Sequence, residues 1–170
     1  MSKPKSNQRP EEHLLIDGYN LLHAWPEHRR ELPQDVDGAR ARFLDQVRII
    51  HDTAGIRTTV VFDGKGAQTA FEYPSDEKTF TVIYTMTGQT ADAVIEHLVA
   101  RSSHPAACSV ASRDNLVAES IRASGAILLT TDDLRSWVQR CEVQQETLLN
   151  DRRRQARSKS RDDSPWDVLD

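Results

Sequence analysis

"LLIDGYNLL", residues 14–22, decides how the rest of the chain is read. The apolar run Leu14-Leu15-Ile16 halts on Asp17, with Gly18, Tyr19 and Asn20 directly behind it. A short continuous apolar run bounded by a turn signal is what a strand buried on both faces requires. Two explanations fit the carboxylate at its end. Asp-Gly is a turn dipeptide, or Asp17 and Asn20 begin a polar site at the edge of a sheet. The remaining segments decide between them.

Working outward, Val36, Ala39, Phe43, Val47 and Ile50 recur at spacings of three and four, which predicts a helix over 35–54, capped by Gly55. RTTVVFD (57–63) is β-branched and ends on Asp63-Gly64, a second strand and its turn. Residues 65–78 read as a polar loop, and 79–85, containing FTVIYT, as a third strand. Thr90 is placed to cap a helix running to Arg101, with Ala91, Val94, Ile95, Leu98 and Val99 as its apolar face. ACSVAS (107–112) is a fourth strand, followed by a short helix over 115–124 that stops at Gly125. AILLT (126–130) is the fifth strand, and a last helix starts at Thr131 or Asp132 and continues into basic sequence. Strands alternating with helices predict an α/β sandwich on a mainly parallel sheet of about five strands. The stretch between the second and third strands has no helical pattern, so one pair there is open to being antiparallel. No internal repeat is visible.

With 170 residues, 38% hydrophobic and 28% charged, the chain suits one globular domain over 13–150. Residues 1–12 are polar and read as disordered, and 151–170 as a basic helical extension with a polar tail that holds the apolar cluster PWDVLD. No apolar run approaches the roughly 20 residues that span a bilayer, and MSKPKSNQRPEEH lacks the apolar core of a secretory signal. Cys108 and Cys141 form no CxxC pair, which excludes a disulfide framework and a thiolate zinc site and suits a reducing cytoplasm. The net charge is -4, yet residues 151–161 carry six basic groups and one acid, so the remainder is acidic. An acidic body with a basic arm fits a carboxylate site joined to a phosphate-binding extension; it also fits an ordinary solvated tail.

Overlaying the acids on the strands is informative. Asp17 and Asp63 end strands, Asp114 follows one, and Asp92 lies in the first turn of a helix. The carboxyl ends of parallel strands share one edge, where ligands bind in open α/β sheets. Each acid has a bland explanation as a turn, cap or dipole residue, but a series of them on one edge demands more. Clustered carboxylates repel and raise one another's pKa unless a cation neutralises them, and Mg2+ or Mn2+ with oxygen ligands does so. The six scattered histidines suit zinc poorly. A divalent ion on carboxylates can activate water and neutralise charge on a phosphodiester during in-line displacement. Lys65, Thr90, Ser112 and Asn115 are then candidates to hold phosphate or water near the rim. Tyr19 and Trp25 are candidates for base stacking or for packing on the first helix.

The ordered set I-D-G-Y-N-L-L (16–22), A-W-P (24–26), V-V-F-D-G (60–64), T-A-D (90–92), A-S-R-D-N (111–115) and G-A (125–126) resembles the NYN domain, and more closely its YacP-type branch within the PIN-like nuclease superfamily. The resemblance covers roughly residues 13–150. It implies a PIN-like three-layer α/β/α sandwich and a metal-dependent endoribonuclease using Mg2+ or Mn2+, with RNA as substrate and the ribosome as a partner. Asp17 matches the first metal-binding acid, Asn20 the characteristic Asn, Asp92 the acid opening the central helix and Asp114 the acid after the fourth strand. Asp63 is a further metal candidate in the family's F-D motif. Relatives often carry a second acid after the T-A-D Asp; here it is Ala93, which leaves fewer ligands for a second ion, and Glu96, one turn on, is a substitute. Arg152, Arg153 and Arg154 are the candidate RNA contacts of the basic helix. Two other readings compete: a non-catalytic RNA- or ribosome-binding module on the same fold, and a phosphatase of the haloacid-dehalogenase type. The latter wants an Asp two residues after the nucleophile, where this chain has Tyr19.

Overall fold

The computed structural model describes residues 10–162. Its first strand, β1 (His13–Asp17), lies inside a six-stranded sheet. On one side it pairs in parallel with β2 (Arg57–Gly66), which pairs in parallel with β4 (Phe80–Met86). On the other side come β5 (Cys108–Ala111) and β6 (Ile127–Leu129), both parallel. The sixth strand, β3 (Ala70–Glu72), runs antiparallel along β4 at the sheet edge. The sequence therefore understated the sheet by one strand. The antiparallel pair is real, but its member is a three-residue exposed strand inside the expected loop, and the β2–β4 pair itself is parallel.

Alternation along the strands sorts the core into two layers. Leu14, Ile16, Val60, Phe62, Phe80 and Val82 face α1 (Gly18–Ala24), α2 (Pro26–Glu31), α3 (Val36–Ala54) and the first part of α6 (Thr131–Asp162). Leu15, Val61, Ile83 and Val110 face α4 (Ala91–Arg101) and α5 (Asn115–Ala123). The result is the expected three-layer α/β/α sandwich. Because both sides of β1 are covered, its apolar run is continuous, and Leu14, Leu15 and Ile16 are fully buried. Each such side chain contributes about 1.5–3 kcal/mol relative to exposure.

Two glycines expected to make turns do something else. Asp17 caps α1 and Gly18 is the first residue of that helix; a Cβ on Gly18 would lie 2.2 Å from the buried Phe62 ring. Strand β2 runs on through Gly64, where a Cβ would lie 2.1 Å from the Thr85 carbonyl oxygen. Both dipeptides thus serve close approach beside a carboxylate. On α3, Ala39, Phe43, Val47 and Ile50 are buried as expected, but Val36 is 45% exposed. Trp25 is buried against Phe43 and His28, the packing role rather than the stacking one.

Helix α6 starts with a reciprocal cap between Thr130 and Asp133. Leu134, Val138 and Cys141 bury its first half, and Gln145 donates to the Thr53 hydroxyl on α3. From Glu146 to Ser160 every residue is exposed, so the second half projects from the domain. Among the described residues no helix is long and apolar enough to cross a membrane. Residues 1–9 of the expected disordered terminus, and the PWDVLD cluster, lie outside the described residues.

Candidate functional site

Asp17 ends β1 and is only 5% exposed. As the cap of α1 it accepts from the Asn20 amide N–H at 3.3 Å, and its second oxygen accepts from Asn20 Nδ2 at 3.4 Å. Asn20 therefore orients the carboxylate that the chain places three residues before it. Burial, followed by the nearby Asp63 charge, raises the Asp17 pKa against the lowering effect of its hydrogen bonds.

Asp92 reaches the same place from the other layer. Thr90 caps α4 by accepting from Ala93 N–H at 3.2 Å, and Asp63 Oδ1 accepts from Ala91 N–H at 2.8 Å. The first bond starts α4 and the second docks that start on β2, which together set the position of Asp92. Its carboxyl is pushed up to about 7, first by burial and then by hydrogen bonding and charge from Asp17 and Asp114. Asp92 Oδ1 is buried and has no donor to accept from; protonated, the same group can donate to a neighbouring carboxylate. Asp114 follows β5, and its amide donates to Ser112 Oγ at 3.2 Å, which shapes the turn that brings it to Asp92. Three acids separated by tens of residues thus share one site at the junction of β1 with β5, where the chain's connections diverge to the two sides of the sheet.

A cleft of ≈ 860 Å³ opens over this cluster, lined by Asp17, Asn20, Asp63 and Asp92 together with Tyr19 and Lys65. Asp114 joins the cluster through Asp92 rather than through the cleft wall. The Thr90 and Ser112 hydroxyls are engaged with backbone amides, and Asn115 is exposed at the start of α5. Arg152, Arg153 and Arg154 stand on the projecting half of α6, outside the cleft lining. The cleft also contains His23 and Val36, which sequence reasoning passed over. His23 had a signal: it follows Asn20 by three residues on one helix face. Val36 hid inside an apolar stripe.

The cluster's chemistry fits a hard divalent cation: the donors are carboxylate oxygens, two of the acids are held above their ordinary range, and a buried oxygen lacks a partner. Among the described residues no group of three or more His, Cys, Asp or Glu side chains is already arranged to hold a metal ion.

Known proteins share the fold of this chain. The chain is 32% identical over 85 residues to an uncharacterised protein, YacP, of Bacillus subtilis (strain 168); the aligned stretch is 50% of this chain and 49% of that protein. The chain thus spans about half the length of the curated relative it matches. The crystal structure of Rae1 (YacP) from Bacillus subtilis superposes with a TM-score of 0.71 at 26% identity, covering 87% of this chain and 85% of that one. The crystal structure of a tryptophan-to-leucine mutant of the same Bacillus subtilis protein gives 0.67 at 27% identity, covering 80% of each chain. The model of the YacP-like NYN domain matches residues 14–168. The chain belongs to the YacP-like NYN domain family, a nuclease-like, RNA-related family.

Proposed function

We propose that the protein is a metal-dependent endoribonuclease that hydrolyses RNA phosphodiester bonds, including those of RNA on the ribosome. The observation that carries this reading is the mutual contact of carboxyl groups from three separate elements, with Asp92 pushed up to about 7. Holding acids together in a partly dry site costs stability, and it persists where a function requires it. A divalent cation such as Mg2+ or Mn2+ would offset that cost and would supply positive charge for the scissile phosphate and for a more acidic water.

The chain's own groups then have distinct tasks. Asp17, Asp92 and Asp114 would hold the ion, and Asn20 keeps Asp17 in its rotamer. Asp63 commits one oxygen to the α4 amide and contributes through the other. Burial and then the neighbouring acids favour the protonated form of Asp92, and a cation held by the cluster would favour the ionised form. Lys65 on the cleft wall meets the phosphate chain, Thr90 and Ser112 fix the turns that present the acids, and Asn115, exposed at the start of α5, is free to face the RNA. The arginines of the α6 arm add phosphate contacts with RNA or with ribosomal RNA.

Purified protein with Mn2+ should cut RNA, and Asp17→Asn should lower the rate at least ~100-fold, since even an outer partner of a metal ligand is worth about 10–100-fold. Full activity in both Asp17→Asn and Asp114→Asn would refute the assignment. Deleting residues 151–170 should weaken RNA affinity and flatten its salt dependence while leaving Mn2+ binding, measured by calorimetry, unchanged.

A further inference from the structure

A second cavity, of ≈ 310 Å³, adjoins the acidic cleft and shares Tyr19, Asp63, Gly64 and Lys65 with it. Arg40 of α3 and Tyr84 of β4 form its far wall. The Arg40 guanidinium lies over the Tyr84 ring, 5.3 Å from its centre, and donates from Nη1 to the Tyr19 hydroxyl at 3.3 Å. Its Nη2 pairs with Asp37, one turn back on the same helix, whose side chain is 86% exposed. An arginine held by a ring, a hydroxyl and a carboxylate loses little further side-chain entropy when a ligand arrives.

Aromatic rings beside a nucleic-acid cleft commonly stack on bases, but these rings are already occupied. Tyr84 carries Arg40 on it and stacks on Phe62 at 5.7 Å and 18°, while Tyr19 meets Phe62 edge-on at 5.0 Å. They hold a guanidinium in place. What the cavity offers a ligand is that guanidinium, the exposed Lys65 ammonium and the Gln68 amide, against the Asp63 carboxylate whose Oδ1 is engaged by the Ala91 amide, a donor set for an anion with several oxygens. We propose that this cavity binds a backbone phosphate of single-stranded RNA neighbouring the phosphate at the acidic cleft, with Arg40 as its anchor and Asp37 as the counter-ion that RNA displaces. The identity of the ligand rests on the endoribonuclease reading; the binding itself is separable from cleavage.

Anisotropy of a labelled single-stranded RNA oligonucleotide in EDTA, across a salt series, tests this without turnover. Arg40→Ala should weaken binding about 10-fold and reduce the log–log salt slope by about 0.7, one single-strand phosphate contact. Arg40→Lys should recover part of the affinity, and Asp37→Asn should tighten binding a few-fold. With Mn2+, Arg40→Ala should raise KM and leave kcat nearly unchanged. An Arg40→Ala protein that melts like wild type and binds with unchanged affinity and slope overturns the proposal; should that variant fail to fold, unchanged binding in Asp37→Asn and Arg40→Lys together does so. Arg40-dependent binding by a protein that leaves RNA uncut would sink the nuclease reading and keep the site. Cutting that is indifferent to Arg40 does the reverse.

Discussion

His13 and Asp17 sit at opposite ends of the same five-residue strand, and burial has shifted both, with different outcomes. At the first end the shift is resolved. Burial, then the Arg57 charge, lowers the His13 pKa to about 4, so the ring is neutral, and it shares a 2.8 Å hydrogen bond with the Thr59 hydroxyl. At the other end it is not resolved. Asp17 is raised by burial, accepts long hydrogen bonds from Asn20, and is hydrogen-bonded to Asp92, whose buried Oδ1 has no donor. At one end of the strand an ionisable group is paired in neutral form, and at the other, acids from β1, α4 and the turn after β5 are held against one another. Acids crowded in a cleft are the more informative of the two conditions, because such crowding costs stability and clusters at functional sites.

The sharpest way to break this contrast is Asp92→Asn. Burial and then the neighbouring acids push the Asp92 carboxyl up to about 7 from an ordinary 3.8. A raised acid is fully accommodated below its unfolded pKa, and stability falls as pH rises from about 4 through 7, because the unfolded chain releases its proton first. The group is partly exposed, so the full shift is discounted to about 1–2 kcal/mol. The Asn variant should therefore be more stable than wild type by about that amount at pH 8, should match it near pH 4, and should be inactive. Mn2+ should raise the wild-type melting temperature more at pH 8 than at pH 5.5, and do little for the variant. A variant that melts below wild type at pH 8 would show that Asp92 is a satisfied structural acid after all.

How much of this was legible beforehand follows the same physics. Asp17, Asp92 and Asp114 could be placed on one rim because strand ends are marked by hydrophobic pattern, and parallel strands bring those ends together. The core of α3 and the face of α4 followed from spacing alone. Strand β3 could not be found: Ala70, Phe71 and Glu72 are all exposed and carry no alternation, so only pairing with β4 makes them a strand. Gly18 and Gly64 were misread because their reason is a contact, with Phe62 and with the Thr85 carbonyl, and contacts across the fold leave no local trace. The partnership of Arg40 with Tyr19 and Tyr84 is of the same kind. That Asp63 docks α4 was hidden for a different reason, since an acid at a strand end has the same signature whether it binds an ion or an amide.

The smaller test sharpens the comparison from the His13 end. A histidine with a lowered pKa contributes stability that is complete above about 6.5 and is lost as pH falls towards 4, where the unfolded chain takes up a proton that the folded chain refuses. After allowance for screening this is about 1 kcal/mol. Its sign is opposite to that of Asp92 over nearly the same window, so wild-type stability should be close to flat between pH 4 and 6.5. Four residue steps at about 3.3 Å put the ends of β1 about 13 Å apart, far enough for their effects to add. Asp92→Asn alone should then lose about 1 kcal/mol on acidification across that window. Combining it with His13→Gln, which keeps a partner for Thr59 without a titrating ring, should abolish the loss. A persistent acid slope in the double variant would move the effect to another group and dissolve the symmetry between the two ends of the strand.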